Sequence, residues 1–493
     1  PYQPLIAGFR VSRPPAPAAP RQTPPVIFTR AARVRAGNLR GMLNYIWLGL
    51  VVLAVIIGGC TDNLKAIADK SFEMAEFAVM RTALPLVGIM ALWLGIMRLA
   101  ERAGLVAALA RLLRPLMVWL FPEVPHDHPA MGAMLLNMAA SILGLGNAAT
   151  PLGLKAMRHL EALNPRPGTA TNAMCTYLAI NTSSIQLIPA TAIAILAANK
   201  SSNPTAIVGT SIIATTCAAV AAVTAAKILQ RLPFYRLPPA PAPPAESAPE
   251  PAAPAPASAG NEKTPIREAA DLAPLRWWGM LIMSAFGLFF LYVFLRLAFP
   301  AVVGLTPPSD AAGQTVFIRI VDAVSRISIP FMLSVFPLYA ALRRVKVYEE
   351  FVDGAKEGFD VALRIIPYLV AILVAMGMFR AAGGIDLISR ALAPVMEAVG
   401  FPSPLLPMVL MRPLSGSGTL GLLAELVKQY GPDSLISRTG GTIFGSTETT
   451  FYVLAVYFGS VGVKRTRYAL PAGIVADTVG VIASVIVCRL VFG

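Results

Sequence analysis

Arg412-Pro413-Leu414-Ser415-Gly416-Ser417-Gly418-Thr419 breaks an apolar run in the second half of the chain, and Gly144-Leu145-Gly146-Asn147-Ala148-Ala149-Thr150-Pro151 breaks one in the first half. Backbone N–H and C=O groups left unpaired in lipid are so unfavourable that Gly-broken apolar pieces survive at membrane depth only against protein or a water-filled cavity. The two pieces, Asn137–Gly153 and Leu405–Gly421, are therefore read as re-entrant segments. Matched punctuation precedes each of them. Pro85, Gly95-Ile96-Met97-Arg98 and Arg114-Pro115-Leu116-Met117 in one copy correspond to Pro367, Gly377-Met378-Phe379-Arg380 and Ala393-Pro394-Val395-Met396 in the other, with one three-residue gap. After each piece comes a span opening with hydroxyl-rich sequence, Asn181-Thr182-Ser183-Ser184 and Thr447-Glu448-Thr449-Thr450. The chain is an internal duplication.

Working outward, 56% of the 493 residues are hydrophobic and only 14% charged, against about 25% charged in soluble proteins. The mean hydropathy is +0.65. A soluble enzyme is excluded. Apolar runs near spanning length, about 17–25 residues, occur at 43–59, 84–100, 172–198, 205–226, 277–299, 325–342, 364–380, 440–459 and 467–490. The expected fold is an all-α polytopic membrane protein with about nine transmembrane helices in two pseudo-symmetric, inverted halves. Ala103–Phe121 and Ile385–Val399 are apolar on one stripe only and read as amphipathic interfacial helices. The net charge of +15 lies mostly in short segments beside apolar runs, which is how topology is written; no nucleic-acid motif accompanies it. With the Arg98–Arg114 cluster and Arg343, Arg344 and Lys346 inside, 84–100 runs inward and 364–380 outward. That is the basis for inversion, although Arg380 and Arg390 then fall outside.

Five regions follow: a disordered basic leader (1–41) ahead of Met42, a membrane half (42–231), a Pro/Ala-rich cytoplasmic linker (232–276), a connecting transmembrane region (277–325) and a second membrane half (326–493). Ile57-Gly58-Gly59-Cys60 has the look of a lipobox, but a first transmembrane helix ending at a cysteine is the preferred reading because a long polytopic chain follows. The four cysteines show no metal-ligand spacing and read as buried hydrophobes.

Paired, Gly-interrupted apolar segments in two halves mark a transporter whose substrate site lies near the bilayer midplane. The candidate substrate-binding residues are Asn147, Thr150, Asn181, Thr182, Ser183, Gln186, Arg412, Ser415, Ser417, Thr447, Glu448 and Thr449. Glu448 is the sharpest, since a carboxylate at the centre of a span costs at least about 2.5–3.5 kcal/mol. It and Asp477 are the candidate coupling-ion residues; the competing reading of Glu448 is an ion pair with Arg412 or Arg438. Asp322 and Arg326, one turn apart, neutralise each other. His126 and His128, in a Pro-rich loop without a third ligand, read as a polar turn, and His159 stands alone. No metal site, cofactor or catalytic constellation can be assembled, and the Gly/Ser-rich breaks lack the Gly-Lys-Ser/Thr ending of a P-loop.

Residues 42–231, through Phe121-Pro122-Glu123-Val124-Pro125, His128-Pro129-Ala130-Met131-Gly132-Ala133-Met134 and Leu143-Gly144-Leu145-Gly146-Asn147-Ala148-Ala149-Thr150-Pro151, resemble the spore maturation A family. Residues 326–493, through Gly354-Ala355-Lys356-Glu357-Gly358-Phe359, Gly431-Pro432-Asp433-Ser434 and Gly445-Ser446-Thr447-Glu448-Thr449-Thr450-Phe451-Tyr452, resemble the spore maturation B family. The resemblance implies a natural fusion and Gate, or nucleoside-recognition, domains at about 84–200 and 364–470. Such domains are similar to parts of concentrative nucleoside transporters and of the ferrous-iron transport protein B, and both families are associated with spore core dehydration. The expected function is a bacterial inner-membrane transporter or permease for a small polar solute, nucleoside-like by resemblance alone. The alternative is a non-transporting scaffold or regulator that binds a partner or ligand through the same domains. Expected partners are the lipid bilayer, the solute and a coupling cation or proton. A homo-oligomer stays in view, because sequence leaves open whether the halves close one site within a chain or between two.

Overall fold

The computed structural model describes residues 45, 47–236, 275–303, 314–384, 387 and 400–493. The basic leader, the Pro/Ala-rich tether and most of the Ile385–Val399 amphipathic segment, with its Ala393-Pro394-Val395-Met396 motif, lie outside the described residues. Among the described residues the chain is helical, and an isolated bridge between Thr169 and Arg465 is the one extended pairing.

In chain order, α1 spans Trp47–Cys60 and α2 spans Leu64–Arg102, a single helix that passes through a π segment at Phe77–Ala83. Amphipathic α3 (Leu105–Leu120) follows. The hairpin α4 (Pro129–Ile142) and α5 (Gly146–Ala162) turns at Gly144, whose φ of +78° is open to glycine but strained for other residues. Next come α6 (Asn172–Thr182), α7 (Ala190–Ala198) and α8 (Ile207–Leu229). Beyond the tether are α9 (Trp277–Ala298), α10 (Val316–Leu342) and α11 (Val347–Ala381). A second hairpin, α12 (Leu406–Met411) and α13 (Gly416–Tyr430), leads to α14 (Leu435–Ser446), α15 (Thr450–Ser460) and α16 (Ala469–Phe492).

The same order of parts thus occurs twice: hairpin, broken helix, long helix. Both hairpins lie where the sequence places re-entrant segments. The runs 172–198 and 440–459, expected as continuous spans, are each divided in the middle. Pro189 and the left-handed Ser184 (φ +42°) stop α6 from running into α7, and extended backbone at Thr447–Thr449 separates α14 from α15. Hydroxyls seat the helix starts: Thr171 Oγ1 accepts from Met174 N, and Ser434 Oγ from Ser437 N. Among the described residues four helices are long and apolar enough to cross a membrane by length and composition, Leu64–Arg102, Pro204–Leu229, Trp277–Ala298 and Ala469–Phe492. The third leaves its most apolar stretch unburied by protein, as a lipid-facing helix does. Asp322 and Arg326 pair at 2.7 Å, as their spacing predicts.

Long helices α8 and α16 pack along each other, α6 touches both, and α14 touches both. The two broken helices are thereby held side by side at the centre. A continuous apolar core with contributions from both halves surrounds them, including Tyr177, Leu178, Leu423, Ile443 and Tyr468.

Candidate functional site

The two helix breaks bond to each other. Glu448 N donates to Thr182 O at 2.8 Å, and Ser184 Oγ donates to Glu448 Oε1 at 3.4 Å. The Thr215 hydroxyl of α8 donates to the carbonyls of Ser183 and Ser184, at 2.9 and 2.8 Å. Backbone groups freed by one break are satisfied by the other break and by a neighbouring helix, which is what permits irregular chain at this depth. Arg412 completes the arrangement. Its guanidinium lies 4.6 Å from the centre of the Phe444 ring and donates to Phe444 O at 2.8 Å and to Thr447 O. It therefore caps the end of α14.

A cavity of about 450 Å³ opens beside this crossing. Its wall includes Gly144 and Leu145 from the first hairpin turn, Gly416 from the second, Gln186 from the first break and Glu448 from the second, with Arg412 and Phe444. Trp93, Arg98, Glu101 and Glu357 line it from α2 and α11. Both copies thus converge on one space. Trp93 Nε1 and Thr447 Oγ1 are buried without a hydrogen-bond partner among the described residues.

Of the residues singled out from sequence, Gln186, Arg412 and Glu448 line this cavity together. Others serve the frame. Ser183 Oγ and Thr182 Oγ1 bond back to Ile180 O and Ala179 O within α6. Asn181 Nδ2 donates to Tyr177 O at 2.9 Å, and its Oδ1 accepts from Tyr457 at 3.5 Å. Ser415 caps α13 by accepting from Gly418 N, with the Ser417 hydroxyl 3.4 Å away. Thr449 N donates to Glu448 Oε2 at 3.4 Å. Asn147 and Thr150 fall in the first two turns of α5, and the Asn147 side chain lies outside the described residues. Asp477, on α16, is buried; its Oδ2 accepts from Thr450 Oγ1 at 2.6 Å while Oδ1 has no hydrogen-bond partner among the described residues.

The competing reading, an ion pair of Glu448 with Arg438, is not seen among the described residues, where Arg438 is joined to Asp433 at 3.4 Å. Among the described residues no ion pair within 4 Å joins Glu448 to Arg412 either, because the guanidinium is turned to the Phe444 and Thr447 carbonyls.

The nucleoside-recognition domain Gate matches residues 83–230 and 362–464, together just over half of the chain and covering both hairpins and both broken helices. The chain belongs to the Gate family. Spore maturation protein B of Bacillus subtilis is 45% identical over 175 residues, 36% of this chain and 98% of that protein. Spore maturation protein A of the same organism is 44% identical over 170 residues, 34% of this chain and 86% of that protein. No solved structure matches.

Sequence reasoning missed the contribution of α2 and α11, whose Glu350 and Glu357 precede the second Gate match. Arg98 bonds Glu350 at 3.2 Å and Glu357 at 3.5 Å, and Arg102 reaches Glu350 at 3.3 Å. Arg98 stood out only as a repeat marker and topology signal, and Glu357 only inside a motif. The spacing of Glu350 and Glu357, two turns apart on one face of α11, was the available sign.

Proposed function

We propose that this Gate-family chain is a multi-pass protein of the bacterial inner membrane that carries a small polar solute, nucleoside-like in its mix of ring faces and hydrogen-bonding edges, as a transporter and not an enzyme. The observation that carries the reading is the crossing of the two helix breaks at Glu448 and Thr182 beside a cavity of about 450 Å³. That volume suits one small solute. Gln186 offers donors and an acceptor, Glu448 accepts hydrogen bonds, and Trp93 and Phe444 supply ring faces and edges on the cavity wall. The two copies are inverted, and solute exchange follows from one half rocking against the other around this fixed point. Asp477 and Glu448 are the groups that hold a coupling proton or cation, a role supported by the burial of Asp477 Oδ1 without a hydrogen-bond partner among the described residues. The description of the matching domain, nucleoside recognition, supports the solute class, and the long apolar helices support the membrane setting.

The test is thermal stabilisation of the purified protein by uridine, adenosine and inosine, since a ligand of the native state raises apparent stability by RT ln(1 + [L]/Kd). A nucleoside is expected to raise the melting temperature of the wild type and to leave Glu448→Gln unshifted. Unliganded melting temperatures should agree, because Glu448 makes no ion pair within 4 Å among the described residues. Equal nucleoside shifts in both proteins would remove Glu448 from the site.

A further inference from the structure

A second cavity, about 550 Å³, shares no wall residue with the first and lies between α3 and the start of α4. Its wall includes Arg111, Arg114, His126, Asp127 and His128. Helix α3 has three stripes. Val106, Ala110, Met117 and Leu120 are buried against the protein. Leu112, Leu116 and Trp119 are 73%, 51% and 74% exposed and fall within an arc of about 60° at 3.6 residues per turn. Arg111 and Arg114 lie on the flank between the two, both exposed and both facing the cavity.

Charge around this cavity is predominantly positive. Asp127, the acidic group in its wall, sits 3.5 Å from Arg114 and 2.9 Å from His126, and it is largely exposed. Arg111 makes no ion pair among the described residues. The N-terminus of α4, capped by His128, adds its partial positive charge. An apolar face beside two arginines matches an amphiphile with an anionic head. A soluble anion would use the arginines and leave the leucine and tryptophan stripe unexplained.

We propose that this cavity binds the headgroup phosphate of an anionic phospholipid, between Arg111 and Arg114, with the acyl chains lying along Leu112, Leu116 and Trp119. Such a lipid fixes α3 in the interface and, through the α4–α5 hairpin packed against it, ties the first Gate copy to the composition of the leaflet.

The full chain in dodecyl maltoside is titrated with dioleoyl phosphatidylglycerol, dioleoyl phosphatidylcholine or inorganic phosphate, and bound lipid is counted by native mass spectrometry. Phosphatidylglycerol is expected to be retained and phosphatidylcholine not. Arg111→Gln with Arg114→Gln should weaken phosphatidylglycerol binding roughly 30-fold. Leu116→Ser with Trp119→Ser should also weaken it, whereas Arg111→Lys with Arg114→Lys keeps the preference for phosphatidylglycerol. The charge-matched control Lys346→Gln with Lys356→Gln, at exposed positions on and beside α11, should bind as the wild type does. Unchanged binding in the arginine variant, equal weakening in the lysine control, or displacement of the lipid by equimolar inorganic phosphate would each overturn the proposal.

Discussion

Arg412 serves the helix break as much as the cavity. A planar guanidinium reaches two carbonyls at once and stacks on a ring, which an ammonium does not. Arg412→Lys is therefore expected to leave Phe444 O or Thr447 O unsatisfied and to lower stability by roughly 3 kcal/mol, read as a fall in melting temperature that Glu448→Gln does not share. Retention of wild-type stability would show that water replaces the guanidinium. Asp433, at the loop before α14, presents the opposite case of a carboxylate made more acidic. Partial burial pushes its pKa up, but hydrogen bonds from Ser201 Oγ and the Ser202 backbone N–H, with Arg438 nearby, bring it down to about 2. A depressed folded pKa stabilises the native state above the ordinary carboxylate value, and that contribution disappears as pH falls through the folded value. Asp433→Asn should accordingly melt below the wild type at neutral pH, with the gap closing between about pH 4 and pH 2. A gap constant with pH would show that charge has no part in it.

Helix α11 meets α2 through glycines, and this contact shows what sequence revealed and what it concealed. A Cβ on Gly354 would stand 2.6 Å from Leu94 O, and one on Gly358 2.6 Å from Met90 O, so the two backbones touch along Gly354-x-x-x-Gly358. Close approach of this kind is how membrane helices gain packing without a hydrophobic driving force. Gly358→Leu is expected to separate α2 from α11 and destabilise the fold by roughly 2–3 kcal/mol; Gly459→Leu, at a position with open space, should be near neutral in the same melting experiment. Similar melting temperatures for the two would contradict the contact. The hairpins were legible because glycine and proline broke apolar runs at matched positions, and Glu448 because a lone carboxylate interrupts an apolar stretch. Division of 172–198 was not legible: Ser183 to Pro189 is apolar enough to pass as a span, and the interruption is tenable because Glu448 N of the partner break and Thr215 of α8 take up the carbonyls it frees. Asn181, Thr182 and Ser183 advertised hydrogen-bonding capacity, yet sequence spacing could not show that their side chains turn back onto α6.

At the scale of the whole molecule, the two halves hold each other at both ends of the broken helices. Lys464 N donates to Gly168 O at 2.8 Å, Ala170 N to Arg465 O at 3.0 Å, and Arg467 to Asn172 Oδ1 at 2.9 Å. At the other end Asp433 accepts from Ser201 and Ser202. Between these ties α8 and α16 run in contact, with Gly480 so close to α8 that a Cβ there would stand 3.3 Å from Ala218 Cβ and 2.7 Å from Thr447 Cγ2. Noncovalent contact of this extent is expected to let the halves assemble without a covalent link between them. Residues 1–245 and 246–493, expressed together as separate chains with an affinity tag on the first, should therefore co-purify as one species with the nucleoside response of the intact protein. Gly480→Leu in the second chain should abolish co-purification, because the added side chain enters the seam between α8 and α16 and presses on the Thr447 break at once. Fragments that purify apart, each monodisperse, would mean that the halves are independent domains and that the crossing of Glu448 with Thr182 is not what holds the site.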